Sequence, residues 1–292
     1  MSSGTATNRT NVDLPVELSR EIMQKAKESS AIMQLAKEIA LPGRGAAINV
    51  ITSDPEASWV GETESKPVAN PGLATKVMRA YKLAVIVPFS NEFRRDLPSL
   101  YSALVERLPG ALAKKFDATV FGNGDKPGND FDNFASITAQ SLASDVYQGL
   151  VSADTDVALH GGIINGYAIS PQMRGILLGA TDTSKRPLFN NNTGDGAVPY
   201  ILGAPTKVAK GAFKSGNPSV VGVAGDWSQA MWGSVEGVKV DFSSDATLDL
   251  GGGNVINLFQ QNMFAVRAEI EVGFRADTSV FNAFTATGVP SV

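Results

Sequence analysis

The chain has 292 residues, 43% of them hydrophobic and 18% charged, which allows one large or two ordinary domains around a sizeable core. Its net charge is −4 with no basic run, which excludes an electrostatic grip on nucleic acid but not a wall that merely faces it. It has no cysteine, so disulfides, thiolate catalysis and zinc–thiolate sites are excluded.

Residues 1–12 are small and polar, without the apolar stretch of a signal peptide, and are expected to be disordered or ordered only by a partner. No run of apolar residues is long enough to predict a membrane span. Asp13 and Pro15 then suit a helix start, with Leu18, Ile22 and Ala26 on one face. Ser29 and Ser30 weaken the run. A second helical piece groups Ile32, Leu35, Ala36 and Ile39 and stops at Pro42 and Gly43. This helical region fits either packing on its own domain or an arm laid on a neighbouring subunit.

The stretch 58–72 begins as a strand at Trp59 and Val60, then meets charges, Pro67, Pro71 and Gly72. A strand over 75–89 follows, so the two arms predict a projecting hairpin with a charged tip. Ser90 or Asn91 can cap a helix that follows. There Leu100, Leu104, Leu108, Leu112, Phe116 and Val120 recur at a spacing of four, a stripe that drifts slowly around the axis. Pro109 and Gly110 are expected to kink or interrupt it. The helix ends in the turn chemistry of 122–128.

Residues 135–250 read as mixed helix and strand. The elements are a helix over 141–151, a strand over 166–171, a short helix from Pro171 through Leu178, and strands over 200–205 and 219–226. A glycine-rich polar loop over 190–196 reads as surface. The clearest period of two lies near the end. Phe264, Val266, Ala268, Ile270, Val272 and Phe274 alternate with a largely polar set, which predicts a long strand able to lie beside the long helix.

Catalytic chemistry is hard to find. The one histidine, His160, sits in a His-Gly-Gly string, but no Gly-x-Ser-x-Gly nucleophile elbow accompanies it. No dinucleotide or phosphate loop is present, and 251–253 reads as a flexible turn. Asp125, Asp130 and Asp132 lack the spacing of a calcium loop and are expected to be solvated loop carboxylates. Glu62 and Glu64 fall on one side of a strand, yet an exposed tip offers nothing to shift a pKa, so salt bridges to another subunit suit them better.

The order of these elements over residues 50–292 resembles the major capsid protein of tailed bacteriophages, the Hong Kong 97 fold. Ala57-Ser-Trp-Val-Gly-Glu-Thr-Glu-Ser-Lys-Pro67 resembles the start of that family's extended loop, and 75–89 its returning strand. Residues 98–121 resemble the spine helix and 121–128 the turn after it. Gly225-Asp-Trp-Ser-Gln-Ala-Met-Trp-Gly233 resembles the family's Gly-Asp-aromatic segment, and 262–275 the closing strand.

The resemblance implies an α+β coat-protein fold with an N-terminal arm (1–48), an extended loop hairpin (49–90) and a peripheral domain with spine helix and turn (91–134). An axial domain (135–254) and a return to the peripheral domain (255–292) follow. It implies pentamers and hexamers in an icosahedral shell around DNA, located in the virion capsid and assembled in the host cytoplasm. The partners implied are copies of the chain itself and a scaffolding, portal or decoration protein. No enzyme activity, cofactor, metal or membrane is implied.

Some family members carry a long N-terminal scaffolding segment. Only about 50 residues precede the hairpin, so scaffolding is expected to be separate, unnecessary or already removed. Some members link subunits through a lysine–asparagine bond. Lys66, Lys76 and Lys82 lie on or near the hairpin, but no residue pattern carries that link over. The residues expected at assembly contacts are Trp59, Glu62, Glu64, Lys66, Tyr81, Arg94 and Arg95. Two other readings stay open: an encapsulin-type nanocompartment shell that packages an enzyme, and a hydrolase with its site in the axial loops.

Overall fold

The computed structural model describes residues 16–43, 45–53, 59–60, 66, 68, 72–92, 97–182, 184–189 and 198–289. The helix start expected at Asp13 and Pro15, residues 1–12 and the loop over 190–196 lie outside these, as does the side chain of Leu18.

Helix α1 (Val16–Ser29) buries Ile22 and Ala26 and packs on the long helix of its own chain. Ser30 then caps α2 (Ala31–Leu35), accepting a hydrogen bond from the Met33 amide. The second helix is shorter than its apolar spacing predicts. Ile39 lies instead in strand β1 (Lys37–Ala40), which runs parallel to a strand nearly 200 residues later. At the end of α1, Lys27 pairs with Glu38 at 2.7 Å and stands 5.4 Å from the Trp232 ring. The helical region therefore packs on its own chain.

The hairpin is β2 (Ala46–Ser53) with β3 (Gly72–Met78), antiparallel from Ala46 opposite Met78. Its first arm precedes Trp59 and Val60, which are not in a strand. The single strand expected over 75–89 is two strands: β3 ends at Met78, and β4 (Tyr81–Ser90) begins a new partnership.

Helix α3 (Leu97–Val120) is continuous through Pro109, about 36 Å long at 1.5 Å per residue. A proline inside a helix costs about 3 kcal/mol. Leu104, Leu108, Leu112 and Phe116 flank it and are all buried, each contributing about 1.5–3 kcal/mol, so burial on both sides outweighs the break.

Next come β5 (Thr138–Ser141) and α4 (Val146–Leu159), which begins later and runs further than expected because Asp145 caps it at Gln148. Strand β6 (Gly166–Ile169) and helix α5 (Pro171–Gly179) fall where the sequence places them. They are followed by β7 (Tyr200–Ile201), β8 (Ala204–Val208), β9 (Ser219–Gly225), β10 (Ala230–Ser234) and β11 (Lys239–Ser243). A small hairpin, β12 (Thr247–Asp249) with β13 (Val255–Asn257), turns at 251–253. The chain closes with β14 (Met263–Ala276) and β15 (Phe281–Ala286).

Two larger sheets result. In the first, β14 is central: β10 and β11 pair with successive parts of it, β1 adds beyond β10, and β4 pairs with residues 263–272. Residues 265–269 pair with both β11 and β4, so these two strands lie on opposite edges of β14. The alternation of β14 is as expected, with Phe264, Val266, Ala268, Ile270, Val272 and Phe274 all buried. The second sheet has six strands in the order β5, β15, β9, β6, β8, β7.

Consecutive segments do not map onto the two sheets. Strand β15 lies in the six-stranded sheet rather than returning with β14, and β10 and β11 join the sheet of β14 although they fall within 135–254. Phe134 ties the halves together. Its ring centroid lies 5.7 Å from Phe274, 5.9 Å from Trp227 and 4.7 Å from Phe281.

Candidate functional site

The projecting hairpin is the feature with no counterpart in an ordinary α+β core, and its root is built from distant segments. Arg275, near the end of β14, donates from Nε to the Val77 carbonyl at 2.8 Å. Its two Nη atoms reach Asp132 at 2.9 Å and Asp130 at 3.0 Å. Asp132 also accepts from the Ala276 amide at 3.2 Å, and Asp130 pairs with Arg79 at 3.2 Å. Lys76 donates to the Ala276 carbonyl at 3.0 Å and lies 3.8 Å from Asp132. One guanidinium thus joins the returning arm, the closing strand and the loop after the spine helix. Its planar fork satisfies two carboxylates and a carbonyl at once, which a lysine cannot do.

This corrects the reading of Asp130 and Asp132 as solvated loop carboxylates: both are partly buried and ion-paired, while Asp125 is exposed. Among the described residues no group of acids and histidines could hold a metal ion. Gly273 lets the backbone of Arg79 cross β14, since a Cβ there would lie 2.6 Å from the Arg79 carbonyl.

Of the expected contact residues, Trp59 is fully exposed and Lys66 is exposed. Glu62, Glu64, Arg94 and Arg95 lie outside the described residues. Tyr81 is engaged largely within its own chain. Its hydroxyl accepts from the Asp130 amide at 3.4 Å, and its ring meets Phe131 edge-on at 6.2 Å. Lys82 pairs with Glu271 at 3.5 Å. His160 ends α4 in a capping position, its Nδ1 lying 2.8 Å from the Asp156 carbonyl.

The Gly-Asp-aromatic segment is a structural joint. Asp226 accepts from Asn165 at 2.8 Å and from the Ser228 amide at 3.0 Å, closing a short turn. Trp227 is buried and donates from Nε1 to the Gly166 carbonyl at 2.9 Å. Gly225 is required because a Cβ there would collide with the Phe281 ring and the Val280 carbonyl.

Sequence reasoning missed a second buried device. Asp117, beside the apolar stripe of α3, caps α2 from outside, accepting from the Ser30 hydroxyl and from the Ala31 amide at 2.9 Å. Burial pushes its pKa up to about 6 from 3.8, against the lowering effect of its hydrogen bonds to Ser30, Ala31 and Ile32. The signal was available: a four-residue spacing drifts, so the buried face widens to include 113 and 117.

A long spine helix on a sheet, a second sheet sharing its core and a clamped projecting hairpin make the α+β coat-protein fold of Hong Kong 97 type. The sequence profile of the phage capsid family matches residues 11–285, and the chain belongs to that family. It is 28% identical over 290 residues to the probable major capsid protein gp17 of Mycobacterium phage D29, covering 93% of this chain and 89% of that protein. It is also 28% identical over 286 residues to the probable major capsid protein gp17 of Mycobacterium phage L5, covering 90% and 86%. A solved structure from Mycobacterium phage Adephagia has the same fold, with a TM-score of 0.69 at 21% identity over 90% of this chain and 92% of that one.

Proposed function

We propose that this chain is the major coat subunit of a tailed-phage virion, which assembles with copies of itself as pentamers and hexamers into a closed icosahedral shell around DNA. Family membership supports a phage coat over a nanocompartment shell. The observation that carries the assembly reading is the hairpin. A two-stranded hairpin is marginal alone in water. This one is clamped at its root by Arg275 and carries Trp59 in full exposure. The surface that completes it is the next subunit.

In this reading Trp59 buries against that neighbour, Glu62, Glu64 and Lys66 pair at the rim, and Arg94, Arg95 and the free edge of Tyr81 contribute nearby. Many moderate contacts repeated around a closed shell give collective stability while single ones stay reversible. A scaffolding, portal or decoration protein joins in the host cytoplasm, and the DNA is enclosed without sequence-specific binding. The role is structural rather than enzymatic.

The test is electron microscopy of the protein expressed alone, with nucleic-acid content read from absorbance. Closed shells or isolated pentamers and hexamers are expected. Particles carrying a co-purifying protein cargo would move the reading to a nanocompartment.

A further inference from the structure

A pocket of about 170 Å³ lies between β4 and the spine helix. Leu83, Phe116, Phe131 and Val272 wall it, and Lys82 and Lys115 stand at its rim. All four wall residues pack in the main hydrophobic core, so the cleft is preformed. Strand β4 pairs only with β14 among the described residues, which makes it an edge strand along which another chain can lie.

The segment around Trp59 has the complementary chemistry. Residues 54–64 hold Asp54, Glu56, Glu62 and Glu64 and no base, with a fully exposed indole in their midst. The pocket offers an apolar wall with Lys115 and the acid Asp125 at its rim, while Lys82 beside them is paired with Glu271.

We infer that this pocket receives Trp59 from a second copy of the chain, with Lys115 facing the acids that flank it. The inference rests on the coat-subunit reading and names the receiving surface that reading requires. Tryptophan seated in a packed pocket is the residue type that dominates interface energetics. Knob and pocket occupy different places on the molecule, so the contact is head-to-tail, and repetition closes a ring when the rotation permits.

The chain's lack of cysteine permits a clean test by crosslinking. Thr119 on the spine helix lines the pocket, so the double variant W59C/T119C, assembled and then oxidised, should give a ladder of linked subunits on a non-reducing gel. Neither single variant should do so. Shells of the double variant without a ladder overturn the assignment. If that variant forms no shells, K115E decides: a yield of shells at least tenfold lower with an unchanged melting temperature supports the pocket, and a wild-type yield overturns it. The two levels fail differently. Normal assembly of W59A sinks the hairpin reading itself, whereas a W59A block with no 59–119 link sinks only this pocket.

Discussion

Arg275 and Asp132, 143 residues apart, meet at 2.9 Å where the hairpin leaves the body of the protein. The guanidinium is largely shielded from water there and is held by a second carboxylate and the Val77 carbonyl. The direction of the projecting arm is thereby set by the end of the closing strand.

Removing this clamp should loosen the arm before the core. Arg275→Ala is expected to destabilise the chain by about 2–4 kcal/mol, because Asp130 and Asp132 lose their shared partner in a partly buried site. Arg275→Lys should recover less than half of that, since one ammonium cannot span both acids. Urea unfolding measures the loss. Faster protease cleavage within 54–71 should accompany it, and an unchanged cleavage rate would count against the clamp.

Asp117 should make stability depend on pH in an unusual direction for an aspartate. Its folded pKa is raised to about 6 from 3.8, so the folded state holds the proton more tightly than the unfolded chain. The penalty for ionisation is fully present above about pH 6 and disappears below the ordinary value. Relative to Asp117→Asn, which does not titrate, the natural chain should therefore gain stability as pH falls from 8 to 4. The gain is about 3 kcal/mol in total. Parallel urea titrations of the two proteins check this. A gap that stays flat with pH would place the proton elsewhere.

Leu112 is buried on the spine stripe next to Pro109. Leu112→Ala should cost about 2–5 kcal/mol through lost burial and a residual cavity. The helix is interrupted in hydrogen bonding at Pro109, so amide exchange should rise on both sides of the proline. Exchange confined to residues after 112 would show that the two halves behave separately.

Trp59→Ala should leave the melting temperature unchanged and lower the yield of assembled particles at least tenfold. The side chain touches solvent on all sides in the isolated chain, so its removal has little to disturb there. Sedimentation of assembly mixtures, with circular dichroism of the same samples, reads both quantities. A drop in melting temperature would assign Trp59 to its own core instead.

The amino-acid sequence by itself determined the elements whose signal is periodic and local. The stripe of α3 and the alternation of β14 are legible because helix and strand each bury one face, and that face repeats at the backbone's own period. The turn at 122–128 and the start of α5 at Pro171 follow from the residue types that can form them. Element order extended this to the family and so to a coat protein.

Only the tertiary structure decided where the strand over 75–89 breaks, that Ile39 joins a sheet, and that β15 leaves the closing segment for the other sheet. Each depends on a partner strand far away in sequence, and pairing registers leave no local period. The same reason hid the root of the hairpin. Asp130, Asp132 and Arg275 look like ordinary loop and strand charges until the fold brings both carboxylates to within 3.0 Å of the Arg275 guanidinium. Charge–charge contacts at long sequence separation carry no spacing rule, whereas burial of a helix face does.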